Sequence, residues 1–447
     1  MIPISLFWHR RDLRTHDNRG LSAALSSGRP VVAFFCFDQT ILNPLPKRDS
    51  RVGFIHSELS ELSKVYAEAG GQLVVRYGAP LEELQALRRK LQSVGFELLE
   101  IHTNRDYAPY PLQRDQKVEE WCTSVGIKFS FWDDHVVLPP EAVLKDDGTP
   151  YTVFTPYSKK WHKVFESSAS NPLSEAVVEL QGHCIAPLEK ATMPTLESMG
   201  FDSQSANPEG WSAFENRKPE TGVLENYAES RDTPSVIGTA RMSLHLRFGT
   251  VSVRALARLG FAHSDKWLTE LIWREFYQAI LHHFPHSATD AFRAKYDRIP
   301  WRHDDEHFKA WCEGRTGYPM VDAGMRELNA TGFMHNRVRM VVASFFCKHL
   351  LLDWRLGERY FAEKLLDFEL ASNVGGWQWA SGSGCDAAPY FRVFNPESQL
   401  KKFDPTGAYV RRWVPEWGSP DYPSPIVEHK FARQRAIDTY KAALSEA

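Results

Sequence analysis

Short runs rich in β-branched and aromatic residues alternate with helix-like stretches through the first 132 residues, and this alternation narrows the possible folds more than any other feature. The predicted strands cover residues 4–8, 31–37, 72–76, 98–102 and 128–131, and helical periodicity is clear at 51–68 and 80–94. Strand–helix–strand units of this length form parallel sheets with helices on both faces. The sequence therefore predicts an α/β domain with a doubly wound, Rossmann-like parallel sheet.

Polar segments follow two of the predicted strands. Residues 8–14 read Trp-His-Arg-Arg-Asp-Leu-Arg, and residues 104–107 read Asn-Arg-Asp-Tyr. Ligands of doubly wound sheets bind beyond the carboxyl ends of the strands, so we expect these segments to line a ligand site. No Gly-x-Gly-x-x-Gly follows the first strand, which removes the dinucleotide fingerprint. Taken without any family, residues 10–18 are a strand-to-helix turn in which Asp17 or Thr15 caps the helix.

The chain length indicates a second domain, because 447 residues exceed the roughly 250 to 300 at which a single core stops growing. From residue 133 to 210 the periodic pattern weakens and Pro, Ser and Asp become frequent, which indicates a connection that runs over the surface. Amphipathic helices are predicted beyond it at 266–284, 318–329, 335–352 and 359–370. We therefore predict an α/β domain at 1–132, a linker at 133–210 and an all-α domain at 211–447.

Charge and cysteine usage exclude several classes of protein. The net charge of -3 argues against a protein coated in basic surface, but it allows a local basic groove. Six scattered cysteines without a Cys-x-x-Cys pair or zinc-ligand spacing favour the reducing cytoplasm, and no apolar run reaches the length of a membrane span. Histidines at 282, 283, 286, 303 and 307 lack a supporting cysteine or acid at a recognised spacing, so no metal site is predicted.

Residues 367–396 combine groups that suit a flat, electron-accepting ring such as a flavin better than a metal or a phosphate. The segment contains two acids, a neutral amide, a glycine pair and two tryptophans: Asp367, Glu369, Asn373, Gly375, Gly376, Trp377 and Trp379. Within it, Asn-Val-Gly-Gly-Trp-Gln-Trp is followed by Asp-Ala-Ala-Pro-Tyr-Phe-Arg-Val-Phe-Asn-Pro. A lone Trp-Gln-Trp would indicate ordinary buried aromatics, but the length of this run is far more specific.

The run resembles the flavin-binding signature of the photolyase and cryptochrome family, and the resemblance extends over nearly the whole chain. It is strongest to class I photolyases of cyclobutane pyrimidine dimers (CPDs). It implies an all-α domain that binds FAD, and light-driven repair in which an electron from the reduced flavin splits the cyclobutane ring. The expected partner is ultraviolet-damaged DNA, and the expected state is a monomer without membrane contact.

The resemblance also assigns roles to individual residues. Those implied to bind FAD are Tyr227, Thr239, Arg241, Ser243, Trp267, Arg274, Asn336, Arg339, Asp367, Glu369 and Asn373, with Arg339 paired to Asp367. Those implied to contact DNA or the lesion are Arg231, Glu270, Trp273, Arg337, Met340, Trp379 and Arg392. An electron-transfer chain from the surface to the flavin is implied for Trp301, Trp354 and Trp377.

One helical face and one charge pattern agree with these roles. Spacing of i, i+3, i+4 and i+7 places Glu270, Trp273, Arg274 and Tyr277 on one helical face, which is too polar for a core stripe. Between residues 332 and 412 there are eleven Lys and Arg against eight Asp and Glu. A basic rim around an aromatic pit is typical of a site for damaged nucleic acid.

A second chromophore is implied in the first domain. Cys36, Asp38, Arg51 and Asp106 lie in segments similar to those that hold an 8-hydroxy-deazaflavin antenna in some relatives. Ala108 stands where those relatives carry a glutamate, and Arg247 where they often carry a lysine, so the chemical identity of the antenna stays open.

Three other functions remain open. A cryptochrome would sense light without repair. Signalling relatives often carry a long variable tail, and the short segment after residue 429 does not resemble one. A (6-4) photolyase typically has a histidine where Asn336 or Met340 stands. A light-independent flavin oxidoreductase is the last alternative.

Overall fold

The computed structural model describes residues 1–188, 192–205 and 208–445. The chain forms two compact units, each built from several segments. The first unit comprises Met1–Pro139, Phe165–Lys218 and Met242–Leu259, and the second comprises Pro140–Val164, Pro219–Arg241 and Gly260–Ala447. The predicted linker at 133–210 is thus divided between the units, and part of the predicted all-α domain belongs to the first.

The first unit contains a five-stranded parallel sheet of order β3-β2-β1-β4-β5. Its strands are β1 (Ile2–His9), β2 (Val31–Asp38), β3 (Leu73–Gly78), β4 (Phe96–Asn104) and β5 (Lys128–Trp132). Every residue of β2 is buried, as expected for a central strand covered on both faces. The predicted Rossmann-like sheet is confirmed, and the order reverses between β1 and β4.

The α-helices follow in chain order. The helices up to residue 263 are α1 (Arg19–Leu25), α2 (Gln39–Leu42), α3 (Ser50–Glu68), α4 (Pro80–Ser93), α5 (Pro109–Ser124), α6 (Phe154–Ser167), α7 (Pro208–Trp211), α8 (Thr221–Glu225), α9 (Tyr227–Ser230), α10 (Ser243–Phe248) and α11 (Val253–His263). The later helices are α12 (Asp265–His283), α13 (Asp305–Cys312), α14 (Pro319–Thr331), α15 (Asn336–Ser344), α16 (Trp354–Lys364), α17 (Leu370–Ser381), α18 (Pro396–Phe403), α19 (Ala408–Trp413) and α20 (His429–Ser445).

The turn after β1 differs from its simplest interpretation. Asn18, not Asp17 or Thr15, caps α1 by accepting from the backbone N–H of Leu21. Asp17 instead has a left-handed backbone (φ 44°) and accepts from the buried guanidinium of Arg254 at 2.7 Å. Asn18 thus supplies the cap, and Asp17 forms an ion pair with Arg254 instead.

The second unit is helical, as predicted, and its largest core lies between α14, α15, α16 and α17. The predicted helix at 335–352 is divided into α15 and a π-helix, Phe345–Leu350, which ends at Leu351 with a left-handed backbone (φ 56°). The predicted helix at 359–370 begins earlier, because the side chain of Asp353 caps α16 through the N–H of Arg355. Among the described residues, no helix is both long and apolar enough to cross a membrane.

Candidate active site

Helix α17 carries the centre of the signature, and its two adjacent glycines have different surroundings. A Cβ atom at Gly375 would overlap the ring of Tyr277 on α12, whereas a Cβ atom at Gly376 would meet no atom within 4 Å. Gly375 therefore permits the close approach of α12 and α17. Gly376 is exposed and leaves an open surface on α17.

Two arginines hold the two acids of the signature. Nη2 of Arg339 donates to both carboxylate oxygens of Asp367 at 3.1 and 3.0 Å, so the structure shows the pair implied by the resemblance. The Asp367 side chain is only 3% exposed, and a carboxylate this buried requires such a partner. Oε1 of Glu369 accepts from Nη2 of Arg274 at 3.2 Å and from Nε2 of Gln278 at 3.1 Å.

The amide of Asn373 is oriented by the neighbouring helix α16. Its Nδ2 donates to both the backbone oxygen and the carboxylate of Glu358. Burial raises the pKa of Glu358, and the hydrogen bond from Asn373 opposes that rise. The Oδ1 atom of Asn373, which can only accept, is the remaining polar group of this side chain.

Of the three tryptophans of the predicted electron-transfer chain, Trp354 lies on α16, Trp377 on α17 and Trp301 outside any helix. Trp377 is buried, and its indole packs so closely on α16 that a Cβ atom at Gly357 would overlap it. Gly357 is three residues after Trp354, the first residue of α16. Trp301 is half-buried, and the N–H of the following residue, Arg302, donates to the oxygen of Leu351 at 2.8 Å, just before α16.

Helix α12 carries the residues predicted to face the lesion, Glu270 and Trp273. The ring of Trp273 stacks on Phe154 with centroids 3.6 Å apart and planes 7° from parallel. Glu270 accepts a short hydrogen bond from Arg231, and its side chain is 29% exposed.

At helix α15, the side chain of His335 is buried, whereas those of Asn336 and Met340 reach the surface. His335 caps the helix, with Nδ1 accepting from the N–H of Arg337 at 3.2 Å, and it is buried. Burial lowers the pKa of His335 to about 4, so the ring is neutral at pH 7. Asn336 is exposed and Met340 is partly exposed. The histidine therefore faces the interior, as its position next to Asn336 on the helix predicts.

The segment from Thr239 to Ser243, implied to bind FAD, contains a buried donor that has no partner among the described residues. Nε of Arg241 is buried and makes no hydrogen bond with any residue that the structure describes, and its guanidinium carbon lies 4.9 Å from the centre of the Phe333 ring. Arg241 also has a left-handed backbone (φ 49°). An unsatisfied guanidinium donor beside Thr239 fits an anionic group, which supports the FAD assignment of this segment. Ser243, the first residue of α10, belongs to the first unit.

The remaining predicted residues of the second unit have varied exposure. Tyr227 and Trp267 are buried, whereas Trp379 is half-buried with its ring 6.3 Å from that of Phe394. Arg392 is exposed after α17. The structure thus brings Arg274, Glu369 and the α17 residues together, but Arg392 does not share a hydrogen bond with them among the described residues.

The candidate antenna residues occupy three settings in the first unit. Asp38 caps α2 through the N–H of Thr40 and accepts from the hydroxyl of Tyr110 at 2.6 Å. The thiol of Cys36, on the same strand, is buried, and burial raises its pKa. Arg51 donates from Nε to Asp49 at 2.9 Å.

Asp106 lies where β4 ends, beside the loop that follows β1. It accepts from Nη1 of Arg11 at 3.1 Å. Burial alone would raise the pKa of Asp106, but Arg11 and its other positive neighbours hold that pKa well below its usual range. A charged, buried cluster thus occupies the point where the strand order reverses, which is the usual ligand position in such sheets.

Sequence reasoning missed four side chains that support the site. Phe154 stacks on Trp273, Gln278 donates to Glu369, Glu358 orients Asn373 and Asp232 pairs with Arg337. Gln278 could have been found from its i+4 spacing to Arg274 on α12. The other three contact residues remote in the sequence, and no local pattern reveals them.

An α/β unit together with a helical unit that carries this acid, amide and tryptophan arrangement defines a flavin-binding class of protein. The family description "DNA photolyase" matches residues 5–177, and "FAD binding domain of DNA photolyase" matches residues 267–420. The deoxyribodipyrimidine photo-lyase of Synechococcus sp. is 37% identical over 99% of this chain and 98% of its own length. The Escherichia coli enzyme of the same name is 37% identical over 98% of each.

Solved structures agree with the sequence relatives. A bacterial class III photolyase from Agrobacterium tumefaciens has a TM-score of 0.87 and 32% identity over 100% of this chain and 98% of its own. An archaeal photolyase from Sulfolobus tokodaii with two FAD molecules has a TM-score of 0.80 and 31% identity, over 99% of this chain and 100% of its own. A Synechocystis cryptochrome has a TM-score of 0.85 and 26% identity, over 98% of this chain and 99% of its own. The chain therefore belongs to the DNA photolyase family, and the predicted family and photo-lyase class are confirmed.

Proposed function

We propose that this chain is a light-driven DNA photolyase that uses FAD to repair cyclobutane pyrimidine dimers. The observation that carries the proposal is the arrangement of Asp367, Glu369 and the helix α17 that follows them. Its acids and amide are held by Arg339, Arg274 and Glu358, while Trp377 packs against α16 at Gly357. These residues provide polar groups for an isoalloxazine ring and an aromatic route away from it.

FAD, when bound, supplies light absorption and the electron that opens the cyclobutane ring. The chain itself orients the cofactor and holds the lesion. Oδ1 of Asn373 is a neutral acceptor, so it can lie beside the flavin N5 without repelling an anionic reduced ring as a carboxylate would. Arg339 and Arg274 pair with Asp367 and Glu369. The positive charge of the arginines balances these two carboxylates, which reduces their repulsion of an anionic ring.

The lesion is held by aromatic stacking on α12 and α17. Flipping bases out of a duplex costs a few kcal/mol, less for a damaged pair, and stacking on an aromatic side chain returns about 1 to 3 kcal/mol per base. Phe154 covers one face of Trp273 and fixes its orientation. Together with the half-buried Trp379, this gives two stacking positions for one dinucleotide.

The chemistry available on α15 favours CPDs over (6-4) products. Splitting a cyclobutane ring needs no proton shuttle, so a polarisable apolar side chain such as Met340 is adequate beside the dimer. Repair of a (6-4) product moves an oxygen-bearing group and needs a proton donor such as a histidine. His335 is buried, capped onto the backbone and neutral at pH 7, so it cannot serve from this helix.

We also propose an antenna chromophore in the first unit. The support is the charged cluster at Asp106 and Arg11, at the end of the sheet where the strand order reverses. Two chemistries fit the available observations: an 8-hydroxy-deazaflavin, from the resemblance, and a second FAD, since the Sulfolobus tokodaii photolyase contains two FAD molecules. Extraction of the pigment and its absorption spectrum would distinguish the two.

The proposed setting is a monomer acting on DNA in the cytoplasm. The six cysteines, which are all free thiols in the structure, support the cytoplasmic part of this proposal. Their scatter through both units is typical of a protein that works in a reducing compartment.

The test of the proposed function compares light with darkness. The purified, chemically reduced protein is incubated with ultraviolet-irradiated DNA, and thymine dimers are counted after blue light and after an equal time in the dark. Loss of dimers only in the light is expected. The similarity to a Synechocystis cryptochrome makes light sensing the second candidate, and a light-dependent spectral change without any loss of dimers would favour it.

A further inference from the structure

Two arginines expected to contact DNA are paired with acids of their own unit. Oδ1 of Asp232 lies 2.9 Å from Nη2 and 3.3 Å from Nε of Arg337, and 3.9 Å from Nε of Arg231. Arg231 also forms a short ion pair with Glu270. Two acids and two arginines thus form one electrically balanced cluster, which we call the Asp232 cluster.

Asp232 occupies a position that suits a phosphate. One of its oxygens faces two guanidinium groups, and a phosphodiester oxygen can be held in the same way with the same charge. Its side chain is 42% exposed, whereas that of Arg337 is 18% exposed. The acid can therefore leave toward solvent while the arginine stays in place.

Arg337 is held independently of Asp232. Its guanidinium carbon lies 4.3 Å from the centre of the Phe403 ring, and Nη1 lies 3.6 Å from the sulfur of Met340. These contacts keep the guanidinium oriented when its anionic partner changes. Exchange of Asp232 for a DNA phosphate then requires no rearrangement of α15.

Glu270 is the main partner of Arg231. Burial alone would lower the pKa of Arg231, but the Glu270 carboxylate more than offsets this, and the pKa is raised. If Glu270 turns toward a lesion base, Arg231 loses that partner. Asp232 is the next acid, at 3.9 Å from Nε of Arg231.

We propose that Asp232 couples recognition of the lesion to binding of the DNA backbone. With undamaged DNA, Asp232 stays on Arg337 and competes with phosphate for it. When Glu270 engages a flipped dimer, Asp232 moves to Arg231, and Arg337 becomes available to a phosphate beside the lesion. This rests on the proposed function, because it takes damaged DNA as substrate, and it makes Asp232 a specificity-determining residue that acts through the arginines.

The experiment measures binding in the dark, so that it does not depend on repair. Dissociation constants are determined for two duplexes of one sequence, with and without a single CPD. Asp232→Asn should bind the undamaged duplex roughly two- to fivefold more tightly, the range of one exposed ion pair, and should bind the CPD duplex almost as the wild type does. The preference for damaged DNA should fall by the same factor.

Three further variants serve as controls. Glu229→Gln removes one negative charge three residues away, and Glu229 is exposed and forms no ion pair among the described residues, so it should leave the preference unchanged. Asp232→Glu keeps the charge and should restore most of the preference. Asp232→Ser, a second neutral substitution, should repeat the result of Asp232→Asn.

Two results would overturn the inference. Equal tightening of both duplexes by Asp232→Asn and Glu229→Gln would mean that only general charge matters. Weaker binding of both duplexes by Asp232→Asn and Asp232→Ser would mean that Asp232 merely positions the arginines. If the wild type repairs dimers in light and the variants show either pattern, only this inference is contradicted. If the wild type neither prefers nor repairs damaged DNA, the proposed function is contradicted.

Discussion

Asn373 donates twice to Glu358, from Nδ2 to the backbone oxygen at 3.1 Å and to Oε1 at 2.8 Å. The two bonds fix which end of the amide faces α16, and they leave Oδ1 as the group that can approach a flavin. Glu358 is thus a positioning residue for Asn373. The relationship also determines what an acid at position 373 would do.

Asn373→Asp should make the reduced flavin harder to form. The substitution replaces a donor by a second carboxylate next to Glu358, so the two acids would have to share a proton or repel each other and the anionic ring. We expect a lower flavin reduction potential, measured by titration with a reductant monitored by absorbance. Asn373→Gln, which stays neutral, is the control, and unchanged reduction behaviour in Asn373→Asp would remove Asn373 from this role.

Trp301→Phe should abolish stable photoreduction of the flavin. Phenylalanine is much harder to oxidise than tryptophan, so the aromatic route beyond Trp354 would end there. Repair by chemically reduced protein should remain near the wild-type level. Trp413→Phe, another half-buried tryptophan packed against the core of the second unit, is the matched control and should photoreduce normally. Loss of repair in prereduced Trp301→Phe would show that the residue is structural instead.

The two glycines of α17 should respond differently to alanine. Gly375→Ala forces a methyl group against the ring of Tyr277, so we expect a loss of about 1 to 3 kcal/mol of stability. Gly376→Ala meets open space in a helix and should leave stability unchanged or raise it by up to about 1 kcal/mol. Urea unfolding of the FAD-depleted proteins measures both. Equal effects of the two substitutions would contradict the assigned contact between α12 and α17.

His335 should make the protein less stable in acid. Burial lowers its pKa from 6.5 to about 4, so between these pH values the unfolded chain binds a proton that the folded chain does not. Stability should therefore fall as pH drops from about 6.5 to 4, by up to about 3 kcal/mol from this residue. His335→Asn keeps a capping acceptor and should give a shallower decline in urea unfolding at pH 7.5 and 4.5. Parallel declines in the two proteins would show that His335 does not contribute.

Much of this fold is predictable from local sequence, and the reasons are visible in particular elements. Strand β2 is a continuous apolar run because both of its faces are covered, so its start at Val31 is found directly. The signature on α17 is equally visible, since its acids, amide and tryptophans lie within one short segment. Local patterns of this kind require no knowledge of the remaining chain.

Other features depend on contacts between remote residues. Asp232 meets Arg337 across 105 positions, and Phe154 stacks on Trp273 from a segment that resembled a linker. The π-helix at Phe345–Leu350 arises inside an amphipathic pattern that continues without a break in the sequence. Residues 133–210, predicted as a linker, fall into three segments, of which 133–139 and 165–210 belong to the first unit and 140–164 to the second.

A comparison of two lesions tests whether this protein repairs cyclobutane dimers in light. Reduced protein is incubated under blue light with oligonucleotides that carry either one CPD or one (6-4) product, and the intact bases are quantified by chromatography. Because α15 presents Met340 and keeps His335 buried, the account predicts restoration of the CPD bases and negligible change in the (6-4) product. Efficient (6-4) repair, or binding of both lesions without repair of either, would contradict it.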